Sequence, residues 1–424
     1  MATSGETATA ARHVRHRDRC RLCDATDIEL VVPLAPTAIA DAYVSDPGEQ
    51  QDTYPLDLYF CRGCSHLQLL DVVDPRLMFK EDYTYASGSS AGIVKHFQDY
   101  AGSVIERDAL RAGASVVEVG SNDGTLLKFF KDAGMEVLGV DPATELAHRA
   151  SEAGIETIPR FLDPGLAEEL REERGPARLV VANNVFAHAD DLGGMADSIR
   201  ILMADDGLFA FEVSYVVDVV EKMLLGTIFH EHLCYHAVKP MRAFLARHGL
   251  ELVDVDRVGI QGGSIIGYAQ VAGGPREVSS RVLELIRMEE EHGFDREETY
   301  RAFSKRIDSM KTELENVLGA MHGKGEALAG YGAARGGTLL IAHFGLARYL
   351  EYLVDDSPSK IGLYSPGDHL PILGSEALYD RRPDAVMILA WVHRKAIVEN
   401  HRGYLEDGGR FIVAYPEVEV LSSE

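Results

Sequence analysis

The tetrapeptide Phe229-His230-Glu231-His232 places two imidazoles and a carboxylate side by side. Imidazole titrates near neutrality, so a histidine next to a carboxylate is a candidate general base. His232 is the expected base, with Glu231 orienting or tuning it. Histidines two apart on a strand point the same way and could also chelate a metal, but no third ligand accompanies them. His188 closes the run Asn183-Asn-Val-Phe-Ala-His188, just beyond a predicted strand. Ligands of open α/β sheets bind at that end of the strands, so His188 is expected to hydrogen-bond a substrate oxygen. Either histidine could instead be structural. Cys234 reads as a packed, inert thiol.

Four of the five cysteines fall in two pairs, Cys20-Arg-Leu-Cys23 and Cys61-Arg-Gly-Cys64. Two such knuckles can set four thiolates at the corners of a tetrahedron around Zn²⁺. A closed thiolate shell leaves no position for substrate, which makes the metal structural. Arg19, Arg21 and Arg62 are expected to offset the negative charge of that centre. Strands at Leu30–Leu34 and Leu56–Cys61 would frame it. A redox pair or chance spacing is the alternative.

The stretch Ser115-Val-Val-Glu-Val-Gly-Ser-Asn-Asp-Gly124 reads as a buried strand followed by a glycine turn. A helix over Leu126–Ala133 comes next, completing the first unit of a doubly wound sheet. The turn is not the GxGxxG of a pyrophosphate site. Glu118, Gly120, Asn122, Asp123 and Gly124 instead put an acid near the expected ligand. An acid suits the ammonium and sulfonium end of S-adenosylmethionine and repels a pyrophosphate. Asp141 ends the next strand about 20 residues on, where it can accept both ribose hydroxyls. Asn183 ends the strand after that. The reading is a class I methyltransferase rather than an NAD enzyme, and a turn that only packs is the bland alternative.

The elements positioning these residues belong to a chain of 424 residues, enough for about three domains. Composition is that of a globular protein, 46% hydrophobic and 26% charged. With 42 Lys plus Arg against 67 Asp plus Glu, the net charge of −25 disfavours nucleic acid and anionic membranes as partners. No apolar run approaches the ~20 residues that span a bilayer. The polar, Arg- and His-rich residues 1–18 lack the apolar core of a secretory signal and read as a disordered tail. The expected location is cytoplasmic.

Past Glu277 the pattern becomes helical and charged, most simply two amphipathic connector helices. A second α/β unit opens at Ala327-Leu-Ala-Gly330-Tyr-Gly-Ala-Ala-Arg-Gly336, with a helix over Thr338–His343. Strands are expected at Leu350–Val354, Ala385–Leu389 and Phe411–Val413. Gly330, Gly332, Gly336 and Arg335 could receive a substrate diphosphate. Packing of the turn, or a second nucleotide cofactor, are the alternatives. Trp391 and His393 end a strand and are expected to face the same cleft.

Taken together, the zinc knuckles, Glu118-Val-Gly-Ser-Asn-Asp-Gly124, Asn183–His188, Phe229–His232, Gln261-Gly-Gly-Ser264 and Gly330–Gly336 occur in one order. In that order they resemble the S-adenosylmethionine-dependent C-methyltransferases of nucleotide-linked deoxysugars, enzymes that build branched sugars for antibiotics. The likeness runs from Cys20 to about Pro416. It implies a zinc-binding domain, a Rossmann-like class I methyltransferase domain and a C-terminal Rossmann-like domain that helps hold substrate. It also implies methylation of a carbon beside the ketone of a 4-keto sugar. Tyr83, His188, Glu231 and His232 match positions the family uses around the sugar. Phe229 stands where many relatives have tyrosine, Gln261 where many have histidine, and Gly337 where many have asparagine. These departures lie near the expected acceptor and bring in a second reading, methylation of a non-sugar carbon such as an aromatic intermediate. A nucleotide-binding module without catalysis is a third.

The chain therefore divides into a tail (1–18), a zinc domain (19–75), a methyltransferase domain (76–274), a helical connector (275–321) and a C-terminal domain (322–424). Expected substrate contacts are Phe229, Gln261, Tyr331, Arg335, Trp391 and His393. The expected partner is a small molecule, and the oligomeric state stays open.

Overall fold

The computed structural model describes residues 13–78 and 86–423. Tyr83 lies outside them, as do residues 1–12 of the expected tail. The expected tail does not reach residue 18, because Val14–His16 (β1) is a strand. It pairs antiparallel with Asp71–Val73 (β5), and the His16 ring packs edge-on to Tyr59.

Between them Ile28–Val32 (β2), Leu58–Cys61 (β3) and His66–Leu69 (β4) form antiparallel neighbours. The second knuckle is the hairpin turn joining β3 to β4, where Cys61 pairs with His66. All four sulfurs lie within 4.8 Å of one another, with Cys20–Cys64 at 3.6 Å and Cys23–Cys61 at 3.5 Å. Tetrahedral Zn–S bonds of about 2.3 Å require sulfur–sulfur edges of about 3.8 Å, so the set fits zinc. Hydrogen bonding among the thiols holds Cys20 far below the ordinary range and pushes Cys61 up to about 12. A divalent cation would remove that unequal sharing by taking all four as thiolates. The arginines flanking the knuckles have partners of their own. Arg62 pairs with Asp27 and Glu297, Arg19 bonds the Asp24 carbonyl, and Arg21 turns into the interior.

The central sheet starts with Ser115–Val119 (β6), whose apolar run is buried between layers. The helix Thr125–Asp132 covers one face with Leu126, Leu127 and Phe130. Glu136–Val140 (β7), Thr157–Ile158 (β8), Ala177–Asn183 (β9) and Met203–Ser214 (β10) extend it in parallel. Cys234–Tyr235 (β11) leaves this sheet and pairs with β4, becoming the edge strand of the zinc domain. Leu250–Val258 (β12) and Ser264–Val271 (β13) complete the order β12-β13-β10-β9-β6-β7-β8. β13 runs antiparallel to both neighbours. A dinucleotide sheet has no such reversed strand; the fold is that of a class I methyltransferase.

Two helices, Ser280–Glu291 and Glu297–Gly323, occupy the connector. The second packs back on the zinc domain, with Tyr300 against Phe60 at 5.2 Å and Arg301 on Glu29 at 2.7 Å. The C-terminal sheet contains Leu328–Tyr331 (β14), Leu353–Val354 (β15), Ile372–Leu373 (β16), Ala385–Ile388 (β17), Arg410–Val413 (β18) and Glu419–Leu421 (β19). Their order is β16-β15-β14-β17-β18-β19, parallel except for the last pair. Among the described residues no helix is long and apolar enough to cross a membrane.

Metal analysis of the purified chain should find about one zinc per chain. Cys61→Ser should release it and lower stability by on the order of several kcal/mol, because site assembly is coupled to folding. A folded wild-type chain free of zinc contradicts the assignment.

Candidate active site

The turn after β6 requires backbone freedom. Gly120 has φ +70°, and a Cβ there would come within 2.3 Å of Val185. Asn122 also adopts a left-handed conformation, at φ +51°. Its N–H donates to Asp141 Oδ2 at 2.8 Å, and Ala143 N–H donates to Oδ1 at 2.8 Å. An ionised carboxylate has about four acceptor sites, so Asp141 can still receive hydroxyls. Asp123 accepts from Thr125 and from Gly88 N–H, and Asn122 Oδ1 accepts from Ser87 N–H. These bonds lay the segment Ser87–Ser89 over the turn that ends at Gly124.

Below the turn sits a buried acidic floor. Glu118 is 3% exposed, and its Oε2 has no hydrogen-bond partner among the described residues. Burial, then the neighbouring Asp141 and Asp123, drives its carboxyl well above the ordinary range. Among the described residues, neither side-chain N nor O of buried Asn183 meets a hydrogen-bond partner. A ligand carrying positive charge and a hydrogen-bonding end would satisfy these orphaned atoms. The expected cofactor residues Glu118, Gly120, Asn122, Asp123, Gly124, Asp141 and Asn183 therefore converge on one place. Reasoning from residue types missed Glu212, fully buried at the end of β10, which takes His96 Nε2 at 2.6 Å. His96 carries no glycine motif or paired carboxylate in sequence to signal it.

His188 and His232, 44 positions apart in sequence, stack with ring centroids 5.0 Å apart and planes at 23°. His232 Nδ1 lies 2.6 Å from the Thr227 carbonyl, so Nδ1 carries the proton and Nε2 is left as acceptor. This carbonyl is the orienting group, and no side-chain pattern announces it. Glu231 does not hold His232. Its Oε2 receives Arg335 Nη1 at 2.8 Å, and Arg335 also pairs with Asp41. Burial pulls His232 down to about 4 against the carbonyl's opposing effect, with Arg335 adding to the fall. His188 is lowered well below its usual value by burial, then by His232 and Arg335. Its Nε2 is buried without a partner among the described residues. Phe229 packs on His232 at 3.9 Å, forming an apolar wall. His230 turns away and meets the Tyr54 carbonyl at 3.1 Å, so the two imidazoles of the tetrapeptide do not share one ligand.

The C-terminal contributions divide. Trp391 lies over the turn at Leu225–Thr227, since a Cβ on Gly226 would come within 2.2 Å of its Nε1. The same indole covers Gly262, beside Gln261. Arg335, Trp391, Gln261 and Phe229 thus gather near the histidines. Tyr331 does not. It is buried in the C-terminal domain, its hydroxyl bonded to Asp356 at 2.8 Å and His401 at 2.9 Å. His393 is exposed on the turn after β17. The glycine turn expected to hold diphosphate is filled by protein. A Cβ on Gly336 would meet the Gly226 backbone at 2.4 Å, Gly332 packs on Ala390, and the Ala333 carbonyl accepts Lys360 at 2.7 Å. Arg335 pairs with carboxylates, and the turn packs against protein.

Three family models match successive stretches of the chain: a zinc binding domain over residues 20–79, a methyltransferase domain over 94–255 and a C-methyltransferase C-terminal domain over 259–416. C-methyltransferase NovU of Streptomyces niveus is 35% identical across 97% of this chain and 98% of its own length. Among solved structures, an S-adenosylmethionine-dependent methyltransferase from Clostridium acetobutylicum ATCC 824 is 12% identical with a TM-score of 0.35. It covers 42% of this chain and 92% of its own. Magnesium protoporphyrin IX methyltransferase (ChlM) from Synechocystis PCC 6803 with bound SAM is 17% identical with a TM-score of 0.32. It covers 42% of this chain and 80% of its own.

Two outcomes follow from the electrostatics. Glu118→Gln removes a charge-assisted contact of about 1.5–3 kcal/mol, so calorimetry should show S-adenosylmethionine binding weakened roughly 10–100-fold. The folded chain also resists protonation at His230 and His232, both near 4 against 6.5 in an open chain. Below pH 6.5 the unfolded state binds more protons, so stability should be full above that value and decline as pH falls toward 4. A melting temperature flat across that window contradicts the neutral, buried assignment.

Proposed function

The chain belongs to the zinc-containing, S-adenosylmethionine-dependent C-methyltransferases, and from that premise we propose that its acceptor is a carbon beside the ketone of a nucleotide-linked 4-keto deoxysugar. The single observation that carries the chemistry is the stacked pair of neutral histidines, one with an accepting Nε2 and one whose buried Nε2 has no partner among the described residues.

A C–H bond beside a ketone becomes nucleophilic only after its proton leaves. His232 Nε2 takes that proton, and the Thr227 carbonyl on Nδ1 stabilises the imidazolium formed. An imidazole near 4 is a weak base in the resting site. Negative charge developing on the substrate oxygen opposes Arg335 and favours the protonated ring, which raises its basicity as the reaction proceeds. His188 Nε2 donates to that oxygen, and Arg335 adds positive charge from the third domain. The cofactor, when bound, supplies an electrophilic methyl group on a sulfonium. Glu118, Asn183 and Asp141 are the residues that would hold it. Phe229 excludes water from the reacting edge, while Gln261 and Trp391 border the acceptor side.

Phe229 also favours a second reading. A phenyl ring against the base, in place of a phenol, suits a flat apolar acceptor, and a non-sugar activated carbon then replaces the sugar.

Labelled S-adenosylmethionine offered with a panel of nucleoside-diphosphate 4-keto sugars distinguishes the two. Transfer to a sugar carbon supports the first, and none to any member of the panel favours the second. His232→Ala should lower turnover by about 10²–10⁴-fold while S-adenosylhomocysteine affinity is retained. A variant with normal turnover removes His232 as the base.

A further inference from the structure

Arg21 lies inside the first zinc knuckle, yet its side chain points away from the sulfurs and is wholly buried. Its Nε reaches Asp190 Oδ1 at 3.3 Å, two residues beyond His188. Its Nη1 bonds the Leu69 carbonyl and meets the Leu233 carbonyl at 3.5 Å, one residue beyond His232. Gln68 Oε1 also accepts from Nη1 at 3.3 Å and from the Arg21 N–H at 3.1 Å, while Nη2 meets no partner among the described residues. Asp190 is further gripped by Arg15 and by Arg17 at 3.1 Å, so three arginines of the N-terminal segment converge on it.

The two histidine-bearing loops are also joined to each other and to the zinc domain by backbone bonds. Cys234 N–H donates to the Ala187 carbonyl at 3.2 Å, and Leu69 N–H donates to the Leu233 carbonyl at 3.0 Å. A planar guanidinium with five donors can hold several acceptors in fixed directions, which a lysine ammonium cannot. We propose that Arg21 is a positioning residue: from the metal-organised knuckle it fastens the His188 loop through Asp190 and the His232 loop through Leu233, setting the spacing of the two imidazoles. The zinc domain then contributes to catalysis without touching substrate. The inference rests on the reading that His188 and His232 act on the acceptor.

The test uses the full zinc-loaded chain and Arg21→Lys, which keeps the charge and loses the fork. Imidazole resonances of His188 and His232, assigned with His188→Gln and His232→Gln, are recorded at constant pH. Both signals should move in Arg21→Lys, with zinc content and S-adenosylhomocysteine affinity unchanged. With a nucleoside-diphosphate 4-keto sugar as acceptor, kcat should fall by about 10–10²-fold, the scale of an ångström's misplacement, with little change in KM. Asp190→Asn cuts only the His188 tether and should move that signal alone; it decides the matter if Arg21→Lys fails to fold or loses zinc. Unmoved imidazole signals in the folded variant overturn the inference. If His232→Gln abolishes turnover while Arg21→Lys leaves kcat unchanged, positioning fails and the base assignment stands. If His232→Gln turns over normally, the base assignment fails, and the imidazole signals still decide whether Arg21 sets the spacing.

Discussion

One guanidinium joins three parts of the chain at the reacting edge. Arg335 comes from the C-terminal domain, Glu231 from the central segment and Asp41 from the N-terminal segment. Charges this secluded from water are retained only when paired, and removing one partner leaves the others uncompensated. The pairings therefore tie the three segments to one another. They also fix a positive charge beside two imidazoles that burial already keeps neutral. Contact among the three segments and the protonation state of the site are two aspects of the same interaction.

The strongly patterned parts of this arrangement were legible in the amino-acid sequence. Val116–Val119 followed by glycines and Leu126, Leu127 and Phe130 can hardly form anything but a strand, turn and helix. Four cysteines in two close pairs similarly dictate a metal centre. β12 was harder to read, because Asp254, Asp256 and Arg257 interrupt its apolar pattern. In the fold Asp254 and Asp256 are neutralised by Arg107 and Arg281, which come from distant elements. Residue type alone could not foretell that pairing.

Two sites show where local pattern misleads. Gly330–Gly336 carries the composition of a phosphate loop, but composition does not say what approaches the backbone. Here the visitor is Gly226, and the turn packs protein on protein. The tetrapeptide around His232 suggested a carboxylate steering the base, because the two are adjacent. Adjacent side chains diverge, and the steering falls to the Thr227 carbonyl five residues back. Backbone acceptors have no signature in composition, so this part of the site emerges only once the chain is folded. Tyr331 is a related case: at a strand's end it could face a ligand, but Asp356 and His401 claim its hydroxyl.

The edge strand that Cys234–Tyr235 lends to the zinc domain has a consequence for biogenesis. A nascent chain leaves the ribosome from its amino end, so Leu67–Leu69 must wait through more than a hundred residues of synthesis for its neighbour. Until then a row of unpaired amides and carbonyls borders an apolar patch, a surface prone to association with other strands. The zinc domain is made well before the strand that finishes it, and newly made protein is most exposed to misassembly during that interval.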